Sequence, residues 1–301
     1  MKIRILGVPL DLGQEHRGVD MGPFALRAAG LDAALRDLGH EVEDAGNIRV
    51  RLPEEQSFGD GRVRFLNEIA TVSAEVADRV TEALEAGFFP LSIGGDHSVA
   101  IGTQAGLARF CQARKTTAGL LWLDAHGDMN TPETSPSGNV HGMPFAALLG
   151  RGPAALARLL GFSPILRAEK CVLIGVRDLD SGERRIVADS RINVFTMREI
   201  DELGMRVVME RAIRLATDDT AGFAVSFDMD VVDPREAPGV GTPVPGGITY
   251  REAHLAMEMI ADCGQLLACE LVEINPILDI MNKTGVLGVG LLSSALGKKI
   301  L

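Results

Sequence analysis

The sequence predicts an α/β protein in which helices cover both faces of a parallel sheet, as one domain over residues 1–301. Short runs rich in Val, Ile, Leu and Phe alternate with longer segments of helical periodicity. The apolar runs are nearly continuous, which is typical of strands buried on both faces. We find no internal repeat, low-complexity tract or Pro/Ser-rich linker. Together these observations favour a three-layer α/β/α sandwich around a central parallel sheet.

The predicted elements follow the apolar runs and the helical spacing. The clearest helix covers residues 64–87, where apolar side chains recur at steps of three and four residues, and a second helix covers 22–39. The predicted strands are residues 3–9, 88–95, 119–126, 171–178, 192–197, 223–230 and 266–274.

Composition excludes several classes of function. The formal net charge is −11, which offers no basic surface for nucleic acid or for anionic lipid. No apolar stretch approaches the roughly 18 residues of a membrane span. The apolar run at the N-terminus is too short and too charged for a signal peptide. The four cysteines form no CxxC pair and read as reduced, buried thiols. We therefore expect a cytoplasmic protein with no nucleic-acid or membrane partner.

Polar clusters follow five of the predicted strands. They read GGDHS (94–98), DAHGD (124–128), RDLDSGE (177–183), FDMDVVDP (227–234) and VEINP (272–276). In open parallel sheets, ligands bind outside the carboxyl ends of the strands. We therefore expect these clusters to converge on one crevice.

The acids and histidines of these clusters predict a metal site. Side chains at alternate positions of a strand share one side, so Asp124, His126 and Asp128 are expected to point together. Carboxylates and imidazoles without a thiolate suit Mn²⁺, Fe²⁺ or Mg²⁺, and bridging carboxylates suit two ions about 3.5–4 Å apart. The candidate ligands are His97, Asp124, His126, Asp128, Asp228 and Asp230.

Capping of a following turn is the better interpretation of any single Asp pair. The joint pattern favours metal, because crowded carboxylates repel one another unless a cation lies between them. Asp96 either orients an imidazole or begins a helix. His16, His40 and His254 have no such neighbours and are expected on the surface or in packing. No GxSxG elbow, phosphate-binding loop or dinucleotide fingerprint is present.

Four long blocks resemble the ureohydrolases, and the arginase family among them: GGDHS, DAHGDMNTPETSPSGNVHGMP, SFDMDVVDPREAPGVGTPVPGG and ELVEINP. The resemblance extends from GVPLDLGQEHRGVDMGP to Pro276, which is essentially the whole chain. It implies the arginase-like α/β/α sandwich and a homo-oligomer, either a trimer or a hexamer.

The resemblance also implies two Mn²⁺ per subunit, bridged by a hydroxide. One ion is expected on His97, Asp124, Asp128 and Asp228. The other is expected on His126 and Asp230, with Asp124 and Asp228 bridging. The implied reaction is hydrolysis of L-arginine to L-ornithine and urea.

By the same resemblance, Glu273 orients the guanidinium, Asp128 carries a proton to the leaving amine and His141 passes protons to solvent. Considered alone, His141 would be assigned to loop stabilisation. The expected contacts to the α-carboxylate are Asn130, Ser137 and Asn139, those to the α-amino group are Asp180 and Glu183, and Thr242 is a further contact. The alternatives are agmatinase, formiminoglutamase or a non-catalytic metal-binding relative.

Overall fold

Eight parallel strands form one sheet in the computed structural model, which describes residues 1–299. Their order across the sheet is β2-β1-β3-β8-β7-β4-β5-β6, so the last strand in the chain lies between β3 and β7. The strands are β1 (Lys2–Val8), β2 (Glu41–Asn47), β3 (Phe89–Gly94), β4 (Gly119–Leu123), β5 (Cys171–Val176), β6 (Asn193–Thr196), β7 (Phe223–Asp228) and β8 (Leu266–Val272).

Helices pack on both faces of this sheet. They are α1 (Gly22–Ala28), α2 (Leu31–Asp37), α3 (Leu66–Glu85), α4 (Val99–Ala113), α5 (Pro144–Leu148), α6 (Ala154–Ala157), α7 (Ser181–Asp189), α8 (Met197–Leu203), α9 (Met205–Thr217), α10 (Tyr250–Cys263) and α11 (Lys283–Ala295). Within residues 1–299, no helix is both long enough and apolar enough to cross a membrane.

The side chains of β4 show how the three layers form. Leu121 and Leu123 join the core beneath α1, α2 and α8–α11. Leu120 and Trp122 point the other way, into the core beneath α3, α4 and α5. A strand buried on both faces needs apolar side chains at every position, which explains the continuous run GLLWL. The predicted α/β/α sandwich is confirmed. The assignment of 1–301 to a single domain stays a prediction, and residues 300 and 301 lie outside the described part.

Each predicted strand is present, but several are shorter than predicted and one strand was missed. The strand predicted at 119–126 ends at Leu123, and that predicted at 223–230 ends at Asp228. The missed strand, β2, buries only Val42 among its residues. It lies at the sheet edge and pairs with β1 alone. Because β2 is held by backbone pairing and buries almost no side chains, its residues show no apolar pattern in the sequence.

The helix predicted at 64–87 is confirmed as α3, whereas that predicted at 22–39 is two helices. Gly30 separates α1 from α2 and adopts φ +87°, in the left-handed region. A left-handed residue ends a helix, and glycine adopts that conformation without a Cβ clash. The periodicity continues across the break because both helices bury one face on the same core.

The cysteines are all free thiols. Cys111, Cys171 and Cys269 are buried, whereas Cys263 is half-buried. Burial raises the pKa of the Cys171 and Cys269 thiols. Both groups are therefore poor nucleophiles at neutral pH, which agrees with the sequence interpretation of structural thiols.

Helices α3 and α4 approach closely at two glycines of α4. A Cβ on Gly102 would lie 2.6 Å from the Cβ of Val76, and one on Gly106 would lie 2.6 Å from the carbonyl oxygen of Ala77. Overpacking of this kind costs about 1–3 kcal/mol, whereas replacing a helical glycine by alanine gains about 1 kcal/mol. The clash therefore outweighs the gain in helix propensity.

We expect Gly106→Ala to lower the free energy of unfolding by about 1 kcal/mol, with a fall in Tm of roughly 2–4 °C. Gly61→Ala, in a turn, is the control for a Cβ added in open space, because the nearest atom to its new Cβ would be 4.0 Å away. Calorimetric melting of both variants measures the difference. Equal Tm values for the two variants would show that the helices have room to separate.

Candidate active site

Five neighbouring strands in the middle of the sheet carry the polar clusters at their carboxyl ends. In order across the sheet they are β3, β8, β7, β4 and β5. His97 follows β3, Glu273 follows β8, Asp228 ends β7, Asp124 follows β4 and Asp180 follows β5. The expected convergence on one crevice is thus a property of the strand order.

The first group of candidate ligands surrounds the imidazole of His97. Its Nδ1 lies 3.1 Å from Asp124 Oδ2, 3.0 Å from Asp128 Oδ2 and 3.1 Å from Asp228 Oδ2. All four side chains are buried. One nitrogen and three carboxylates therefore face a common point.

A second group shares Asp124 with the first. His126 Nδ1 lies 3.0 Å from Asp230 Oδ2 and 3.5 Å from Asp124 Oδ1. His97, Asp124 and Asp228 form one set of close ligand atoms, and Asp124, His126 and Asp230 form the other. Asp228, which the family resemblance places on both ions, contacts the first group and accepts a hydrogen bond on Oδ1 from the backbone N–H of Asp230 at 2.8 Å.

Electrostatics in the two groups reflect uncompensated negative charge. Burial, followed by the charge of Asp124, raises the pKa of Asp128 to about 6. Burial, followed by the charge of Asp230, raises the pKa of Asp228 well above its usual range. Burial alone would lower the pKa of His97, but Asp128 and the other acids around it raise that pKa strongly. Cationic imidazoles can thus balance only part of the charge.

The residues fit divalent cations. His97 Nδ1 and Asp128 Oδ2 are buried and have no hydrogen-bond partner, which is unusual for polar atoms in a native interior. Two ligands at right angles, each about 2.1 Å from one ion, lie about 3.0 Å apart, which matches the spacing around His97. The oxygen and nitrogen donors, without a thiolate, suit Mn²⁺, Fe²⁺ or Mg²⁺.

The capping interpretation is correct for Asp124 and Asp228. Asp124 accepts a hydrogen bond on Oδ1 from the backbone N–H of His126 at 2.6 Å, and Asp228 does so from Asp230. Each carboxylate therefore fixes the following turn with Oδ1 and presents Oδ2 to His97.

Asp128 lies beside His97 as predicted, but a loop and not strand alternation places it there. Strand alternation ends at Leu123, so Asp124, His126 and Asp128 lie on the loop that follows β4. Asp128 adopts φ +51°, in the left-handed region. Its carbonyl accepts hydrogen bonds from the backbone N–H groups of Phe145 and Ala146 at the start of α5. These bonds keep Asp128 in its uncommon conformation.

Side chains that sequence reasoning missed support His97. The Nε2 of His97 lies 2.8 Å from Ser226 Oγ, and its ring stacks on Trp122 at 4.1 Å. Ser226 lies opposite Glu270 in the sheet, and Gln104 Nε2 donates to Glu270 Oε1 at 3.0 Å. Since these polar residues are far apart in the sequence and lie within largely apolar strands and a helix, no motif predicts this network.

Glu273 lies behind His141, with its carboxylate held by three donors. Oε1 accepts from the backbone N–H of His97 at 2.9 Å and lies 3.1 Å from His141 Nδ1. Oε2 accepts from Gln14 Nε2 at 3.0 Å. Burial alone would raise the pKa of Glu273, but the hydrogen bond and charge of His141 lower it. For His141 the effects are reversed: burial alone would lower its pKa, but the hydrogen bond and charge of Glu273 raise it to about 9.

Asp96 contacts no imidazole. It accepts hydrogen bonds from the backbone N–H of Ser98, at the start of α4, at 3.0 Å and from that of Gly13 at 2.7 Å. Of the two interpretations from the sequence, the helix start is the correct one. The second bond ties the loop after β1 to the site.

A cavity of about 150 Å³ opens above the two groups. Asn130 Nδ2 donates to Asp180 Oδ2 at 3.2 Å on its wall, and Thr242 Oγ1 donates to Asp230 Oδ2 at 3.0 Å. Glu183 is buried there, and burial raises its pKa to about 7. The predicted residues on the wall are His126, Asp128, Asn130, Ser137, Asn139, His141, Asp180, Glu183, Asp228, Asp230 and Thr242; His97, Asp124 and Glu273 lie beneath them.

Comparison with known proteins agrees with this geometry. The model of the Arginase family matches residues 1–297. A curated arginase from Bacillus caldovelox is 50% identical over 300 residues, covering 99% of each chain. The crystal structure of that species' arginase matches with a TM-score of 0.93 at 49% identity over 99% of both chains. The crystal structure of arginase from Bacillus cereus also matches with a TM-score of 0.93, at 46% identity over the full length of both chains. This chain belongs to the arginase family.

Proposed function

We propose that the protein is an arginase, a metal-dependent hydrolase that converts L-arginine and water to L-ornithine and urea. The observation that carries the proposal is the pair of ligand groups sharing Asp124 at the base of one cavity. The relatives that share about half of its positions over nearly the whole chain are named arginases. We further propose Mn²⁺ as the metal, with two ions per subunit.

The assignment of ligands follows the two groups. His97, Asp124, Asp128 and Asp228 would hold one ion. His126 and Asp230 would hold the other, with Asp124 and Asp228 shared. When bound, such ions lower the pKa of a water molecule, so that a strong nucleophile is available at neutral pH.

Glu273 would orient the substrate. A guanidinium carbon is a poor electrophile because its charge is spread over three nitrogens, so its position against the nucleophile matters. A carboxylate holds a guanidinium with charge-assisted hydrogen bonds. Glu273 is buried and lies behind His141, so a guanidinium must displace or share the bond between them.

Asp128 and His141 would move the protons. The leaving amine must be protonated as the intermediate collapses, and Asp128, whose Oδ2 faces the first ligand group, would carry that proton. His141 lines the cavity and is partly open to solvent. It would pass protons between the site and bulk water.

The outer cavity would recognise the amino-acid end of the substrate. Asn130, Ser137 and Asn139 offer neutral hydrogen-bonding groups for the α-carboxylate. Asp180 and Glu183 line the same cavity and offer carboxylates for the α-amino group. Thr242 completes the wall beside Asp230. Agmatine lacks the carboxylate and would leave the neutral groups without their partner.

We also propose a cytoplasmic homo-oligomer, a trimer or a hexamer. Large apolar side chains are exposed on the segment before α11 and on α1, with Met281 at 96% and Phe24 at 69%. Exposed apolar side chains are typical of a protein–protein contact when they form a patch.

The substrate assignment predicts urea release from L-arginine far in excess of release from agmatine. A colorimetric urea assay with the Mn²⁺-loaded protein measures both under the same conditions. A preference for agmatine would point to an agmatinase-type enzyme. Urea from neither compound would favour a non-catalytic metal-binding relative.

Glu273→Gln is expected to abolish most turnover while metal content stays near that of the unchanged protein. The substitution keeps the shape of the side chain but removes the charge that a guanidinium requires. Elemental analysis and the urea assay are run on the same preparation. Retained turnover would show that Glu273 does not orient the substrate.

Ser226→Ala is expected to weaken metal binding by about 10–100-fold, because it removes the partner of His97 Nε2. Titration of the metal-free protein with Mn²⁺, followed by calorimetry, measures the affinity. Asp228→Asn, which changes a proposed ligand directly, is the positive control. Unchanged affinity in Ser226→Ala with a clear loss in Asp228→Asn would remove Ser226 from the metal site.

A further inference from the structure

The loop after β1 reaches across the site to Glu273. Gln14 on this loop is 7% exposed, and its Nε2 donates to Glu273 Oε2 at 3.0 Å. The loop is fixed beside it: the backbone N–H of Gly13 donates to Asp96 Oδ2 at 2.7 Å, and its carbonyl accepts from the backbone N–H of His141 at 3.0 Å. Gln14 is therefore presented to Glu273 from a rigid position.

The three donors on Glu273 differ in kind. The backbone N–H of His97 and the ring of His141 both contact Oε1. The hydrogen bond to Oε2 comes from Gln14. The bond from His141 exists only while its Nδ1 carries a proton. A side-chain amide carries its two N–H groups at every pH at which the protein is folded. Gln14 thus holds the carboxylate whatever the state of His141.

The orientation of the Gln14 amide is determined by Glu273. A carboxylate only accepts hydrogen bonds, so the NH₂ group must face it and Oε1 must point away. That Oε1 is buried and has no hydrogen-bond partner. It lies against Gly241, where a Cβ would come within 2.7 Å of it.

The Oε1 of Gln14 is an unpartnered buried acceptor, which destabilises the folded protein. An apolar side chain of the same length would remove that cost, but it would leave Oε2 of the buried Glu273 carboxylate without its donor, which costs more because the group is charged. The amide at this position is therefore explained by its bond to Glu273.

We propose that Gln14 is a positioning residue that holds the Glu273 carboxylate in the orientation that receives the substrate guanidinium. This inference rests on the proposed function. It assigns to the loop after β1 a part in recognising the guanidinium end of the substrate, while the α-amino and α-carboxylate end is recognised elsewhere in the cavity.

The test compares ligands with and without a guanidinium. Gln14→Met keeps the length of the side chain and removes the donor. In the Mn²⁺-loaded protein, we expect the KM for L-arginine to rise about tenfold or more, with a smaller change in kcat. The Kd of L-ornithine, which lacks the guanidinium, is expected to stay within about twofold. An unchanged KM, or an equal loss of affinity for both ligands, would overturn the proposal.

Arg51→Met is the matched control, because it removes a side-chain donor from another buried carboxylate, that of Glu68, which does not line the cavity. We expect it to lower Tm without changing the ratio of arginine to ornithine affinity. Gln14→Asn, whose amide is one methylene too short to reach Glu273, should reproduce the selective loss and decides the matter if Gln14→Met does not fold. Absence of urea from L-arginine with the unchanged protein would overturn the proposed function instead.

Discussion

The structure depends on four buried carboxylates, the buried imidazole of His97 and the half-buried imidazole of His126, held in contact at the middle of the sheet. Like charges at this distance repel strongly in a medium from which water is excluded. The chain reduces the repulsion by giving Asp124 and Asp228 backbone donors on one oxygen each. One remaining oxygen of each faces His97, where a cation would remove the repulsion that is left. The surrounding strands, caps and packed rings keep these groups from separating.

Much of this arrangement could be predicted because the sheet is parallel. Continuous apolar runs located the buried strands, and polar residues at their ends marked the carboxyl edge. What the sequence could not reveal was structure made by the backbone. Strand β2 pairs with β1 through its main chain and buries only Val42. The break at Gly30 leaves the apolar period of two neighbouring helices intact.

The residues of the candidate site likewise include some that the sequence predicted and some that it did not. Its acids and histidines were identified because they cluster in short stretches, and the family resemblance supplied their expected roles. Gln14 and Ser226 escaped notice because each is a single ordinary polar residue, and its partner is distant in sequence. Gln14 contacts Glu273 and Ser226 contacts His97 only in the folded chain. Asp128 was identified for the wrong reason. Strand alternation predicted the direction of its side chain, but a left-handed backbone conformation at this residue determines that direction.

The place of β8 has a consequence for the order in which the protein is made. This strand comes last along the chain yet lies between β3 and β7, joining β2-β1-β3 to β7-β4-β5-β6. While a ribosome is still synthesising residues before Leu266, His97 and Asp228 belong to two strand sets with a gap between them. His97 can join Asp124, Asp128 and Asp228 only after β8 enters that gap, and Glu273 arrives with it. The group around His97 is therefore completed only when the sheet is.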